Sequence, residues 1–379
     1  MLERTFQNDA VRFVGNVEID RDVSVPELRK IYDAVALTIG APMDRDWNIP
    51  GHDKKGVIGS AAFVGWYNSH PDFTDLDIDL NVDSVAVIGN GNVAIDCARV
   101  LVKTGQEMAE SDLADHAASL IHPAPIKDIY VFGRRGPIEA AFTNKELKEL
   151  GELERCVPLV DAGQLPDHVG EVPDKVRKVK ERNLGYLQSY APNQPNSKDS
   201  RIHINFYSLP VEVLGGDRVE GLRMEHTRVE DGRCIGTGET FDIECGLVIP
   251  CIGYRSRSVE GVPFDEERGV IPNKNGRVEP GLYVGGWAKR GPSGVISTNA
   301  PDGVIAAQHI LADKGAGSGM PGPDGLDKLL GERDVEVIDY SGWQIIAEAE
   351  AEAASGNAPR RKFPNIQDML ETVRKRVTG

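Results

Sequence analysis

The stretch Ser84 to Asp96 (SVAVIGNGNVAID) constrains the fold of this chain more than any other. Val85 to Ile88 are apolar and mostly β-branched, which suits a parallel strand buried on both faces, and Gly89 and Gly91 then supply a tight turn with no Cβ to block a ligand. A helix begins immediately afterwards. Its first amides have no partner within the helix and carry about half a positive charge, so a pyrophosphate can sit against Gly89, Asn90, Gly91, Asn92 and Val93 without a dedicated basic side chain. The pattern is G-x-G-x-x-A, with Ala94 where strand and helix must pack closely.

A second strand, Asp128 to Gly133, gives that motif its context, because it ends directly in Arg134 and Arg135. In a dinucleotide fold the end of the second strand reaches the adenosine ribose; an acid there favours NAD, and arginine favours the 2′-phosphate of NADP. Two arginines predict NADP. From Gly89 to Arg134 the chain runs 45 residues, against about 20 in the minimal unit, so an insertion is expected between them, over residues 104–126.

With 379 residues the chain is long enough for two or three domains and a full core. Its net charge of −16 argues against a general affinity for nucleic acid or an anionic membrane surface. No apolar run approaches membrane-spanning length, and the opening Met1 to Phe6 lacks the basic and then apolar character of a signal peptide, which predicts a cytoplasmic address. The five cysteines form no C-x-x-C pair, and the eight histidines show no metal-binding spacing. Zinc ribbons and iron–sulfur clusters are thereby disfavoured, buried small hydrophobes are the default for the cysteines, and no metal site is expected.

In chain order, residues 11–20 read as a strand and Val25 to Asp33 as a short helix entered through Pro26. Tyr32 to Ala41 is an apolar strand ending in Thr38-Ile39-Gly40-Ala41. It resembles the segment at which two-dinucleotide flavoproteins leave the FAD domain for the pyridine-nucleotide domain, and Cys245 to Tyr254 echoes it where the chain returns. The two crossings bracket the Gly89 motif and predict an α/β architecture in which an NADP-binding, Rossmann-like domain, residues 42–251, is inserted into an FAD domain built from 1–41 and 252–379. Within the insertion a helix should start near Thr143, a natural N-cap with Glu146 three residues on as its capping-box partner. Glu146 has two readings, as that cap or as an acid that holds a nucleotide hydroxyl. Residues 175–182 are strongly basic, with Lys175, Lys178 and Arg182 on one helical face; they form either a solvated face or a docking site for an acidic partner. Residues 192–201 read as a surface loop.

After the return, Leu282 to Val284 reads as a strand that runs into Gly285, Gly286 and Trp287. A loop carrying Gly291, Pro292 and Gly294 then leads into a helix from about Thr298 to Leu311. Close glycines before a helix suit an electron-rich ligand approached by backbone amides, here the pyrimidine end of a flavin ring. Trp287 either walls that ring or belongs to the core. Residues 314–325 read as a flexible connector, and the tail as two helices, around Gly342 to Ala354 and Ile366 to Val377.

Together these motifs resemble the adrenodoxin-reductase-like ferredoxin–NADP reductases, flavoproteins of the glutathione-reductase type. The resemblance rests on Gly65 to Asn68, Gly89 to Ala94, Gly133 to Pro137 with Ala140 to Thr143, and Gly286 to Ile296 followed by Thr298 and Asn299. It implies that Asn92, Val93, Arg134, Arg135 and Glu146 hold NADP, and that Trp287, Gly294, Val295 and Ile296 contact FAD, with Gly294 near the nicotinamide as well. The chain departs from the family at Ser297 to Asp302, where glycine usually precedes the threonine and lysines follow the asparagine. A larger departure lies at the front: the family opens with a βαβ unit and a G-x-G-x-x-G fingerprint for the ADP half of FAD. Only 31 residues precede Tyr32, and a βαβ unit takes about 30 or more, so the FAD domain is expected to be incomplete. The explanations, in order, are a truncated or internal start, a half supplied by another chain, and loss of FAD binding.

The resemblance implies an oxidoreductase that passes hydride from NADPH to FAD and single electrons to a ferredoxin-like acidic protein. Asp96, in the first turns after the phosphate loop, is the candidate catalytic residue, as a proton-relay group or simply as a charge complementing the helix dipole. The rival functions are a non-catalytic NADP-binding module and an electron-transfer flavoprotein like the small subunit of glutamate synthase.

Overall fold

The structure, a computed structural model, describes residues 2–294, 296–314 and 319–378. The chain divides into two units, Met1–Arg45 with Gly253–Ala349 and Leu370–Gly379, and Asp46–Ile252 with Glu350–Met369.

The first unit opens with helix α1 (Leu2–Phe6). The strand expected over residues 11–20 does not form. Asn16 and Asp20 adopt left-handed conformations, with φ of 57° and 75°, which turn the chain twice, and only isolated bridges remain, Gly15 to Ile338 and Ile19 to Val23. Helix α2 (Val25–Ile31) follows its signals: the Ser24 hydroxyl accepts from the Glu27 N–H, the Ser24 N–H donates to Glu27 Oε2 at 2.9 Å, and Pro26 occupies the first turn. Strand β1 (Val35–Leu37) and the two-residue β2 (Met43–Asp44) lead out of the unit.

In the second unit, α3 (Ser60–Tyr67) carries the Gly65 to Asn68 signature, and its role is packing. Trp66 is 1 % exposed and stacks on Phe63 at 5.8 Å, while a Cβ on Gly65 would lie 2.3 Å from the Phe73 ring. Then come β3 (Ser84–Ile88), α4 (Asn92–Val102), α5 (Gly105–Met108), α6 (Asp115–Ile121), β4 (Asp128–Phe132), α7 (Asn144–Leu150), β5 (Cys156–Val160), α8 (Asp174–Tyr190) and β6 (Ser200–Asn205). The expected insertion is thus the short helices α5 and α6, and the loop predicted to run through Arg201 ends earlier, because Arg201 pairs with Asp128 on one side and Ser200 with Cys156 on the other. Three longer strands follow, β7 (Ser208–Leu214), β8 (Gly221–Glu230) and β9 (Arg233–Glu244), and then β10 (Leu247–Pro250).

Strands β10, β3, β4, β6 and β5 form one parallel sheet in that order, while β7, β8 and β9 form an antiparallel sheet. Alternation along β3 divides the core. Val85 and Val87 pack with Ile95 and Leu101 of α4, and Ala86 and Ile88 pack with Val213, Leu222 and Met224 of the antiparallel sheet. Both faces of β3 are therefore covered, and each fully buried aliphatic side chain contributes about 1.5–3 kcal/mol.

On the return, β11 (Tyr254–Arg255) pairs antiparallel with β2, so the stretches that leave and re-enter the first unit hydrogen-bond to each other. Strand β12 (Arg277–Glu279) and β13 (Leu282–Val284) complete a sheet ordered β1, β13, β12, with β1 and β13 parallel. Helices α9 (Trp287–Arg290), α10 (Ile296–Lys314), α11 (Gly322–Glu332), α12 (Tyr340–Glu352) and α13 (Ile366–Thr378) finish the chain. The helix α11 replaces part of the expected connector: Leu326 and Leu330 bury against Val23 and Ile31, and that burial outweighs its glycine-rich start. Residues 350–369, placed with the flavin domain from sequence, cluster with the second unit, where Lys362 Nζ reaches Asp112 at 3.0 Å and Arg361 reaches Asp115 at 2.6 Å.

Candidate functional site

In the second unit the turn between β3 and α4 is shaped by close backbone approach. Gly89 has φ 139° and a Cβ there would lie 2.4 Å from the Cys251 carbonyl oxygen, so only glycine fits. Gly91 caps α4 with extended backbone, and a Cβ there would project into open space, where a ligand has room. Ala94, fully buried, packs α4 close to the sheet. Asn90 lies across the end of β4: its side-chain amide occupies the space that a Cβ on Gly133 would need, its carbonyl accepts from the Ala141 N–H at 2.7 Å, and its Oδ1 is buried without a protein partner. Asn92 Oδ1 accepts from the Thr143 N–H at 2.7 Å. The glycine loop is thereby tied to the segment 140–143 that follows the arginines.

That tie changes the role of Glu146. Thr143 occupies the N-cap position of α7, but its side chain makes no capping hydrogen bond, and no capping box forms because the Thr143 N–H that Glu146 would receive is already given to Asn92. Glu146 Oε2 is left buried with no hydrogen-bond partner among the described residues. Arg134 is exposed and Arg135 half-buried; their carbonyls accept from Thr227 and Tyr207, and neither guanidinium forms an ion pair among the described residues. From the other side, α8 holds the same segment: Lys180 Nζ donates to the Ala140 carbonyl at 2.6 Å, and the buried Asn183 donates to the Phe142 carbonyl at 3.0 Å and accepts from Asn144 at 2.6 Å. Burial pushes the Lys180 ammonium below the usual lysine range.

Asp96 sits on α4 with its Oδ1 accepting from Arg99 at 2.6 Å, and Arg99 also reaches Glu149 of α7. The structure thus gives Asp96 a place in an ion network between two helices.

In the first unit, β13 runs into Gly285, whose N–H donates to the Leu37 carbonyl at 3.0 Å and extends the pairing with β1. The chain then turns sharply at Gly286, with φ 66°, into the single turn α9. Asp302 of α10 fastens this turn: it accepts from the Gly286 N–H at 3.1 Å, from Lys289 at 2.8 Å and from Arg290. Burial works to raise the Asp302 carboxyl, but the Lys289 hydrogen bond and the two positive charges overcome it and hold the group below the usual carboxylate range. Arg290 also reaches the Ser293 carbonyl and Asn299. Trp287, half-buried, donates from its indole to the Ser293 carbonyl at 3.2 Å and faces Tyr254 at 6.5 Å with 30° between the rings. Gly294 has φ 81°. Beside this loop is an open pocket of about 410 Å³, lined by Arg45, Arg268, Arg290 and Gly291 to Ser293 among others. Val295 lies outside the described residues; Ile296 begins α10.

No protein-family model matches the chain. It is 37 % identical over 396 residues to the mitochondrial NADPH:adrenodoxin oxidoreductase of Rattus norvegicus, covering 98 % of this chain and 79 % of the relative. It is 37 % identical over 385 residues to the NADPH-ferredoxin reductase FprA of Mycobacterium tuberculosis, covering 97 % and 84 %. This chain belongs to the adrenodoxin-reductase-like NADPH–ferredoxin reductases. The solved structure of Mycobacterium tuberculosis FprA in complex with NADPH superimposes with a TM-score of 0.91 at 35 % identity, over 98 % of this chain and 85 % of that one. Membership brings the two-dinucleotide-binding flavoprotein fold, with NADP and FAD as its cofactors.

The residues expected from sequence therefore fall into two groups. Gly89 to Val93, Arg134, Arg135 and Glu146 are brought together in one unit by Asn90, Asn92 and the segment 140–143; Trp287, Gly294 and Ile296 belong to the loop of the other. Three contributors were not foreseen. Asp302 lay in the stretch that departs from the family pattern, and nothing in its own neighbourhood signals that it fastens Gly286, Lys289 and Arg290. Lys180 and Asn183 were hidden in the basic run of α8; the inward spacing of Asn183, Leu184 and Leu187 was the available signal. Among the described residues no cluster of three or more metal-ligating side chains occurs, and no helix is long and apolar enough to cross a membrane.

Proposed function

We propose that the chain takes hydride from NADPH onto FAD and delivers electrons to a ferredoxin-like protein, with the glycine loop, Arg134, Arg135 and Glu146 forming its nucleotide site. The observation that carries this reading is the pair of cations at the end of β4 without carboxylate partners among the described residues, beside a helix N-terminus and two buried acceptors, Asn90 Oδ1 and Glu146 Oε2, that likewise lack partners there. Such groups fit a ligand that brings both a phosphate and hydroxyl donors. The amides from Asn90 to Val93 hold the pyrophosphate, Arg134 and Arg135 the 2′-phosphate, and Glu146 a ribose hydroxyl. On the flavin side, Trp287 walls the ring, and Gly294 and the start of α10 at Ile296 bring backbone close to it; Val295 was expected to share that contact. FAD, when bound, supplies the change from two-electron to one-electron transfer. The protein orients the rings, and Asp302 keeps the Gly286 to Arg290 turn fixed for that purpose. Asp96 has no step in this scheme; its pairing with Arg99 supports a structural role.

Arg134→Ala and Arg135→Ala test the nucleotide site. Each lost charge-assisted contact is worth about 1.5–3 kcal/mol, so the NADPH KM should rise about tenfold or more with a small dye as acceptor, and the NADH KM should change little. Equal losses for the two nucleotides would remove the 2′-phosphate assignment.

The relatives are named for adrenodoxin and ferredoxin. An acidic carrier fits α8, where Lys175, Lys178 and Arg182 are exposed and form no ion pair among the described residues. At about 100° per residue they fall within about 60° of one another on the outward side. Reversing all three to glutamate should slow turnover with a ferredoxin at low salt and leave the small-dye rate unchanged; unchanged ferredoxin rates would place the docking site elsewhere.

A further inference from the structure

Lys180 occupies a different side of α8 from the basic stripe. It is turned about 140° from Lys175 and lies on the side of Asn183, Leu184 and Leu187, all three of which are buried. A half-buried lysine normally has a carboxylate partner, since burying a lone charge is costly. Lys180 forms no ion pair among the described residues. Its one hydrogen bond among the described residues is to the Ala140 carbonyl at 2.6 Å, which leaves two of its three N–H donors for another acceptor. Two charged neighbours act on it through space: Glu139, which favours its charged form, and Arg135, which opposes it. Arg135 itself has no carboxylate partner among the described residues. Glu139 acts the more strongly of the two and partly offsets Arg135, yet the two cations still repel each other across the short segment Arg135 to Ala140. An anion placed between them would relieve that repulsion, and the anion due at the end of β4 is a phosphate.

We propose that Lys180 is a third cation of the 2′-phosphate subsite and a specificity-determining residue for NADPH over NADH, an assignment that rests on Arg134 and Arg135 holding that phosphate. Lys180 is placed by α8, whereas Arg134 and Arg135 are placed by the sheet, so the phosphate is approached from two independently anchored elements. The bond to Ala140 fixes the lysine stem, and the charge is what the nucleotide meets.

The test uses the full chain with its flavin and two probes, 2′,5′-ADP and 5′-ADP, whose dissociation constants are measured by calorimetry for Lys180→Gln, Lys180→Met and Lys180→Arg. Glutamine keeps a donor toward Ala140 without the charge, methionine removes both, and arginine keeps the charge. The expected result is a loss of about tenfold or more in 2′,5′-ADP affinity for Lys180→Gln and Lys180→Met, little change with 5′-ADP, and recovery of most of the loss in Lys180→Arg. Equal weakening of both probes, or wild-type affinity in Lys180→Gln with loss only in Lys180→Met, would make Lys180 a brace for the Ala140 segment and overturn the proposal. Unchanged affinities at Lys180 alongside a selective loss in Arg134→Ala would overturn it while leaving the nucleotide site intact; no selective loss in either would remove both.

Discussion

At the scale of single residues, the proposed nucleotide site rests on polar groups that have no partner among the described residues. Glu146 has the residue type, spacing and helix position of a capping-box partner, yet Asn92 holds the Thr143 N–H that such a box requires. A buried carboxylate oxygen without a donor costs free energy in the free protein, which is why the proposed function gives Glu146 a ligand hydroxyl to accept from. Glu146→Gln should therefore leave the thermal midpoint unchanged or slightly higher and weaken NADPH binding about tenfold, measured by calorimetry. A fall of several degrees in the midpoint with unaltered NADPH affinity would return Glu146 to a structural role. The place of the arginines at the end of β4 was legible in the sequence, because the strand before them is. The fate of Glu146 was not, because it depends on Asn92, about fifty residues away in the chain.

Among the elements, those whose local signals agree with their burial were legible. Strand β3 and α4, strand β4, strand β13 and helix α2 all lie close to where turn chemistry and apolar runs place them. Helix α2 also carries a measurable consequence. The Arg333 guanidinium, with the Ser24 N–H and hydroxyl, holds the Glu27 carboxyl at about 2, well below its usual 4.5. Because the folded value is depressed, Glu27 contributes stability that is fully present above about pH 4.5 and is lost as the pH falls toward about 2. Glu27→Gln should lower the thermal midpoint at neutral pH, with the difference from the parent shrinking below about pH 4.5; a constant difference from pH 7 to pH 3 would contradict the assignment. The elements that escaped notice are those made by tertiary contact. The strand expected over residues 11–20 has the right composition but no neighbour to pair with, and Asn16 and Asp20 turn it away. Strands β7 to β9 are half-exposed and polar along one face, so their apolar residues stand out only once Ala86, Ile88 and Phe132 of the parallel sheet lie against them.

For the molecule as a whole, the insertion of one nucleotide unit into another was legible from two apolar segments ending in glycine, and the short β2–β11 pairing is the structural mark of that double crossing. The tail was not, since the ion pairs of Arg361 and Lys362 that join residues 350–369 to the second unit involve aspartates about 250 residues earlier. In an acidic protein, Arg134, Arg135, Lys175, Lys178, Lys180 and Arg182 are cations of one unit that form no ion pair among the described residues, and the proposed nucleotide and docking sites both rest on them. The most direct test of the whole account is an anaerobic titration of the FAD-loaded protein with NADPH and then NADH, followed through the visible flavin absorption. The account predicts that the flavin band bleaches with NADPH at concentrations at which NADH leaves it largely intact. A flavin band that stays unchanged in excess NADPH, or a protein that takes up NADPH and never FAD, would contradict it.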